Sequence, residues 1–402
     1  MRPVRTVLVE KDVPIPLRDG VTTYADVYRP HDGPPAPVVL VRTPYDKEVS
    51  MGALGVLPGW LKLAEHGYVV VVQDCRGRFS SEGVFYPFAN EGPDGFDSVA
   101  WACRQPWSDG RVGMLGASYF GATTVLTAKE SPPGLRCIVP IITADDYHAG
   151  WAYQGGAFEL AFMGTWGGGL AAAQFLRADC PVPAEARQRL MAAMADPMAM
   201  LSHMPTAEMP GISQPEVAPF WPDWTAHRAD TGYWQQWRFA DFHESLAIPG
   251  MHIGGWFDIF LAGTLRNFQG LTAAGKAPQK MVIGPWAHTN YDRYLGAMEF
   301  GGTGAAGMAG VIPDIFAWLD RYLRGDEAVS TGPAVRYFLM GANQGRTAET
   351  WPPEGARSER WYLHSGGSAN SARGDGTLSR EAPAAAERPD TFLYNPARPV
   401  PT

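Results

Sequence analysis

The chain has 402 residues, 46% hydrophobic and 18% charged, and a formal net charge of −8. It is longer than one average domain, apolar enough for a sizeable core, and too lean in charge to be disordered. Its acids and bases are interspersed without a basic stripe, which argues against nucleic acid or anionic lipid surfaces as partners, and the apolar burst Val69 to Val72 is far too short to span a membrane.

The start of the chain, Met1 to Gly20, mixes charges with short apolar pairs and lacks the continuous apolar core of a signal peptide, so a soluble cytoplasmic protein is expected. Val7 to Ile15 and Val21 to Tyr28 alternate about Arg18-Asp19-Gly20, the pattern of an antiparallel hairpin at a sheet edge. The pattern then changes to continuous apolar runs, Val38 to Val41, Val69 to Val72, Val112 to Leu115 and Ile138 to Ile142, with helical segments at Trp60 to Glu65 and Asp94 to Cys103 between them. Strands covered on both faces and alternating with helices mean an α/β fold with a mostly parallel sheet. The next strand signals are Ile248 to Gly254 and Lys280 to Ile283, and the intervening segment is far too long for a loop. Rich in large side chains, among them Trp151, Phe158, Phe162, Trp166, Trp221, Trp224 and Trp234, it reads as a mostly helical cap whose aromatics largely form its own core, a minority lining a pocket. Ile312 to Leu323 reads as a helix. Beyond it Val335 to Met340, Arg360 to His364 and Thr391 to Tyr394 suggest a small all-β domain. Stopping at Pro399-Val400-Pro401-Thr402, that domain holds too few strands for a sandwich, which leaves pairing with another copy open.

The chemistry centres on Arg111 to Gly121. Ser118 sits where the strand Val112 to Leu115 turns into a helix, with Gly116, Ala117 and Gly121 as small neighbours, the setting of a nucleophile elbow. The usual form is G-x-S-x-G, whereas Phe120 stands where the second glycine is expected. Taken alone, the turn is equally well read as one whose serine only caps the helix. A serine needs a base to attack at neutral pH. Of nine histidines the best placed is His288, just after the last core strand, and Asp258 follows the strand before it. Ser, Asp and His in that order, each after a core strand, is the chain order of α/β-hydrolase triads, although singly each has a structural reading as a cap or a hydrogen-bonded group. The oxyanion donors expected are the Tyr119 backbone N–H and a group from the Arg42 to Lys47 loop, where the Tyr45 hydroxyl is in range. His148 is a remote candidate for the pocket wall. The cysteines Cys75, Cys103, Cys137 and Cys180 are scattered and read as reduced thiols. No metal-ligand spacing or dinucleotide fingerprint appears, so no cofactor is expected.

Thr43-Pro44-Tyr45-Asp46-Lys47, the Gly-x-Ser-Tyr-x-Gly elbow, Gly255-Trp256-Phe257-Asp258, Gly284-Pro285-Trp286-Ala287-His288 and the Asp74-Cys75-Arg76-Gly77 and Ser80-Ser81-Glu82-Gly83 stretches resemble the cocaine-esterase (CocE/NonD) branch of the X-Pro dipeptidyl-peptidase-like serine hydrolases. The resemblance covers nearly the whole chain. It implies Ser118 as nucleophile, His288 as base, Asp258 as its orienter, Tyr45 and Tyr119 as the oxyanion hole, a helical cap and a carboxyl-terminal jelly roll. The expected layout is an α/β-hydrolase domain over 1–144 and 247–328, a cap over 145–246 and a partial β-sandwich over 329–402. Relatives that bind a free α-amino group carry acids beside the triad aspartate, where this chain has Ile259-Phe260. The substrate expected is therefore a small-molecule ester with a neutral or aromatic acyl group in an apolar pocket, with X-Pro amide cleavage as the alternative. The acids Asp145, Asp146 and Glu159 bear on that choice unless they only serve the chain's passage into the cap and helix capping. A catalytically silent binding protein is the reading from another class.

Overall fold

The four consecutive valines Val69 to Val72 offer water no polar face, and the strand Val69–Asp74 that they open is buried throughout. The structure, a computed structural model, describes residues 6–49, 56–371 and 373–395. Met1 to Arg5 and the closing Pro399 to Thr402 lie outside the described residues. Ten strands form one sheet: β1 (Val7–Pro16), β2 (Thr22–Pro30), β3 (Ala36–Thr43), β4 (Val69–Asp74), β5 (Ser108–Ala117), β6 (Leu135–Ile141), β7 (Gly250–Phe257), β8 (Gln279–Ala287), β9 (Val335–Leu339) and β10 (Gln344–Ala348). Their spatial order is β1-β2-β4-β3-β5-β6-β7-β8-β9-β10. From β4 through β9 neighbours are parallel, while β1, β2 and β10 are antiparallel additions. The amino-terminal hairpin occupies a sheet edge, as its alternation predicts.

This order contains the feature that positions the site. From β3 the chain moves to β4 on one side, then returns to place β5 on the other, so the loops leaving β3 and β5 diverge. A crevice opens at the carboxyl edge between such loops, and open α/β sheets bind their ligands there. The helices are α1 (Trp60–Glu65), α2 (Glu91–Cys103) and α3 (Tyr119–Lys129), then α4 (Leu160–Ala173), α5 (Ala184–Ala195), α6 (Pro197–Leu201), α7 (Phe220–Ala226) and α8 (Gly232–Gln235) in the insertion between β6 and β7, and finally α9 (Leu261–Ala274) and α10 (Val311–Trp318). α2 begins earlier than the expected Asp94. Gly92-Pro93 looks like a break in sequence, but proline is tolerated in a helix's first turn, where the acids Glu91 and Asp94 also suit the dipole. α3 is buried along nearly its whole length and has no apolar stripe. Its threonines can be buried because their hydroxyls return to backbone carbonyls, Thr124 to Phe120 at 2.8 Å and Thr127 to Thr123 at 2.7 Å.

Val335–Leu339, expected within a small all-β domain, instead runs parallel to β8 and extends the main sheet, covering an edge that would otherwise lie bare. The first compact unit ends at Trp351 and the second starts at Pro352. In the second, Tyr362–His364 pairs with Thr377–Ser379. Thr391 to Tyr394, strand-like in composition, is irregular and its Phe392, Leu393 and Tyr394 are exposed, because β propensity yields a strand only where an edge accepts it.

Candidate active site

β5 ends at Ala117 and α3 starts at Tyr119, so Ser118 alone makes the turn, at φ 57° and ψ −123°. A non-glycine residue held there costs roughly 1–3 kcal/mol and persists only where the surroundings enforce it. Here the Ser118 N–H donates to the Ile141 carbonyl at 2.9 Å, tying the turn to β6. The glycine displaced by one position is explained by where α3 meets its neighbour. A Cβ on Gly121 would lie 2.7 Å from Thr143 Cβ, while Phe120 points into the core, its ring 5.6 Å from that of Tyr45.

Asp258 and His288 follow β7 and β8, whose final residues Phe257 and Ala287 are register partners. Between Gly284 and Ala287 the register shifts, a bulge that re-aims the end of β8. The bulge brings the Trp286 carbonyl so close that a Cβ on Gly255 would lie 2.2 Å from it, which is why Gly255 faces that turn. His288 Nδ1 then lies 2.6 Å from Asp258 Oδ1, and His288 Nε2 lies 2.9 Å from Ser118 Oγ. With Nδ1–H donating to the carboxylate, Nε2 is left to accept the serine proton. Asp258 is buried, and its other oxygen accepts the Phe260 N–H at 3.2 Å. Such a chain can generate a serine nucleophile at neutral pH and store the proton on imidazole beside a fixed anion.

The loop after β3 brings Tyr45 to the same place, its ring 6.5 Å from that of Tyr119 and 5.6 Å from that of Phe120, the two residues that follow Ser118. Tyr119 supplies the first N–H of α3, one of the donors a helix leaves unpaired at its start. Its phenol is held behind the site, donating to Glu91 Oε1 at 3.0 Å and accepting the Phe88 N–H at 2.8 Å. All five residues expected at the site therefore meet at one rim.

Two neighbours carry no functional signal in the sequence. Trp166 of α4 donates its indole N–H to the Tyr45 hydroxyl at 2.8 Å. Arg78, one residue past the Asp74-Cys75-Arg76-Gly77 stretch, is buried and donates to the Pro44 carbonyl at 2.7 Å and the Leu170 carbonyl at 2.9 Å. Burial lowers its guanidinium to about 10. Trp166 reads as cap core in sequence, and Arg78 lies between two of the quoted stretches, outside both.

Facing the triad is an aromatic wall. Trp151 stacks on Phe260 at 4.1 Å, and Phe260 meets the His288 ring edge-on at 5.1 Å. With Phe162, Ile259 and Glu159 they line a cavity of about 60 Å³. Asp145 is taken up by a bidentate pair with Arg266 at 2.6 Å. Asp146 pairs with Arg238 at 2.7 Å and caps the turn at His148, so both acids keep structural roles. Glu159 occupies the position before α4 without capping it, and burial pushes its carboxyl up. His148 stacks on Tyr153 at 4.8 Å and bonds the Arg228 carbonyl, inside the insertion. The four cysteines are free, and burial holds the Cys75 thiol well above its usual range. Among the described residues no group of three or more His, Cys, Asp or Glu is arranged to hold a metal, and no helix is long and apolar enough to cross a membrane.

The pattern of the X-Pro dipeptidyl-peptidase (S15) family matches residues 19–290, and that of the X-Pro dipeptidyl-peptidase C-terminal non-catalytic domain matches 327–399. A cocaine esterase from Rhodococcus sp. is 35% identical over 98% of this chain and 69% of its own length. An aminopeptidase from a marine sediment Thaumarchaeota archaeon superposes with a TM-score of 0.73 at 25% identity, over 99% of this chain and 66% of that one. An α-amino acid ester hydrolase superposes with a TM-score of 0.74 at 24% identity, over 100% of this chain and 67% of that one, and shares the fold. The chain thus spans about two thirds of the length of these relatives. It belongs to the X-Pro dipeptidyl-peptidase (S15) family of serine hydrolases.

Proposed function

We propose that this protein cleaves acyl esters through a covalent acyl-enzyme. Ser118 Oγ attacks the ester carbonyl as His288 Nε2 takes its proton, and Asp258 steadies the resulting imidazolium. The tetrahedral oxyanion is received by the Tyr119 N–H and the Tyr45 O–H. The imidazolium then protonates the leaving alcohol, and water attacks the acyl-Ser118 ester with His288 again as base. The observation that carries this reading is the hydrogen-bonded chain of 2.9 Å and 2.6 Å from Ser118 through His288 to Asp258, opening on an aromatic wall. Ester rather than amide preference is supported by the Ile259-Phe260 pair beside Asp258, which offers an ammonium no charge, and by the likeness to the Rhodococcus cocaine esterase.

One observation favours the amide alternative. The Glu159 carboxylate lines the same cavity and has no hydrogen bond or ion pair among the described residues, and an amine-bearing substrate would give it one. A fluorophosphonate probe tests the enzyme reading: labelling is expected, lost in Ser118→Ala, and unlabelled folded protein rejects it in favour of a silent binding protein. Turnover of p-nitrophenyl esters against Ala-Pro and Gly-Pro p-nitroanilides then separates the two substrate classes, and faster cleavage of the anilides overturns the ester assignment.

A further inference from the structure

We propose that Trp166, carried on the helical insertion, is a positioning residue of the oxyanion hole, whose indole N–H fixes Tyr45 as a hydrogen-bond donor toward the reacting carbonyl. The inference rests on the reading of Tyr45 as an oxyanion donor. A phenol hydroxyl carries one proton and otherwise rotates to suit its neighbours, whereas an indole N–H can only donate. At 2.8 Å from Trp166 Nε1, the Tyr45 oxygen must accept, and its own proton is directed away from the indole. The indole itself is clamped between Phe162, stacked at 5.6 Å and 10°, and Trp224, stacked at 5.6 Å and 5°.

A second contact keeps loop and helix in register. The Arg78 guanidinium bonds the Pro44 carbonyl, one residue before Tyr45, and the Leu170 carbonyl, one helical turn beyond Trp166 on α4. It lies 4.8 Å over the Phe85 ring, so it is held on its apolar side as well. Burial pushes the Tyr45 phenol up to about 12, and both the Trp166 N–H and the Arg78 charge oppose that rise, favouring a more acidic and hence stronger donor. The insertion is therefore part of the catalytic machinery as well as a wall. Displacing α4 would release the Tyr45 hydroxyl and weaken oxyanion binding without touching Ser118, His288 or Asp258.

The test is a double-mutant cycle on kcat and KM with p-nitrophenyl acetate, whose small acyl group makes little use of the aromatic wall. Trp166→Phe keeps a ring and removes the N–H, and is expected to lower kcat roughly tenfold with KM within about a factor of two. In a Tyr45→Phe background the same change is expected to have no further effect, because the hydroxyl it acts through is gone. An equal loss in both backgrounds, or a change confined to KM, overturns the proposal and leaves Trp166 as packing. Replacement of Trp166 by β-(3-benzothienyl)alanine, which has the shape of tryptophan without the N–H, carries the same expectations and serves where Trp166→Phe does not fold. Full activity in Tyr45→Phe would instead remove the oxyanion role of Tyr45, and with it this inference, while leaving the serine mechanism intact.

Discussion

The two banks of the crevice are built from different materials. On the β7 and β8 side, Asp258 and His288 stand on turns beside apolar groups, and each is fixed by one or two hydrogen bonds. On the β3 and β4 side lies a set of ions that are buried but for Asp12 and the partly buried Arg76. Arg42, inaccessible to solvent, is 3.0 Å from Glu91, Arg76 grips Asp94 through two bonds of 2.9 Å and 2.7 Å, and Lys47 sits 2.8 Å from Asp12 and 3.8 Å from Asp74. Buried ion pairs are seldom more stabilising than apolar packing of the same volume. Their directional bonds do hold loops in one arrangement, and these particular loops carry Tyr45 and back Tyr119. The contrast is between a bank that reacts and a bank that holds, and substitutions on the two should fail differently.

The largest effects belong to the reactive bank. Ser118→Ala should abolish probe labelling and lower ester turnover by about 10⁴-fold or more, and Asp258→Asn by roughly 10⁴-fold, both with unchanged melting temperature within a few degrees. A comparable loss of fold in either variant would erase the distinction. At the meeting point of the banks, Tyr45→Phe should cost about 10²- to 10³-fold in kcat, measured with the same esters. The holding bank should respond in stability first. Arg42→Met leaves Glu91 buried without its cation and should lower the unfolding free energy by about 3 kcal/mol in urea titrations, while the folded fraction keeps most of its kcat. Loss of kcat without loss of stability would show that these ions act on the chemistry directly.

The smallest effect concerns Asp74, whose carboxyl burial pushes up to about 7. The folded chain then keeps this proton over a range in which the unfolded chain, with an ordinary aspartate near 3.8, has lost it. Between these values the folded state binds more protons, so this group's contribution to stability falls as pH rises from about 4 to about 7. Asp74→Asn should flatten that slope and gain on the parent as pH rises through about 7, read from melting temperature against pH. An unchanged slope would mean that Lys47 keeps the carboxylate charged throughout.

Much of this architecture was legible from the chain itself, and the reason is that its signals are local. Apolar runs such as Val69 to Val72 mark covered strands, and Ser118, Asp258 and His288 each follow such a run, so the order of reactive groups could be read without coordinates. Covalent neighbours likewise explain why Ser118 sits between β5 and α3. Other features depend on residues that meet only after folding. The one-position shift to Gly121 makes sense only against Thr143, and the bulge that aims His288 only against Gly255. Val335–Leu339 chose the main sheet because β8 presented an edge to it, and Trp166 and Arg78 join Tyr45 and Pro44 across long stretches of intervening chain. Periodicity and turn chemistry travel with the residues that carry them. Which hydroxyl is oriented by which distant N–H is settled by packing, where hydrogen bonds close only after the insertion has docked on the rim.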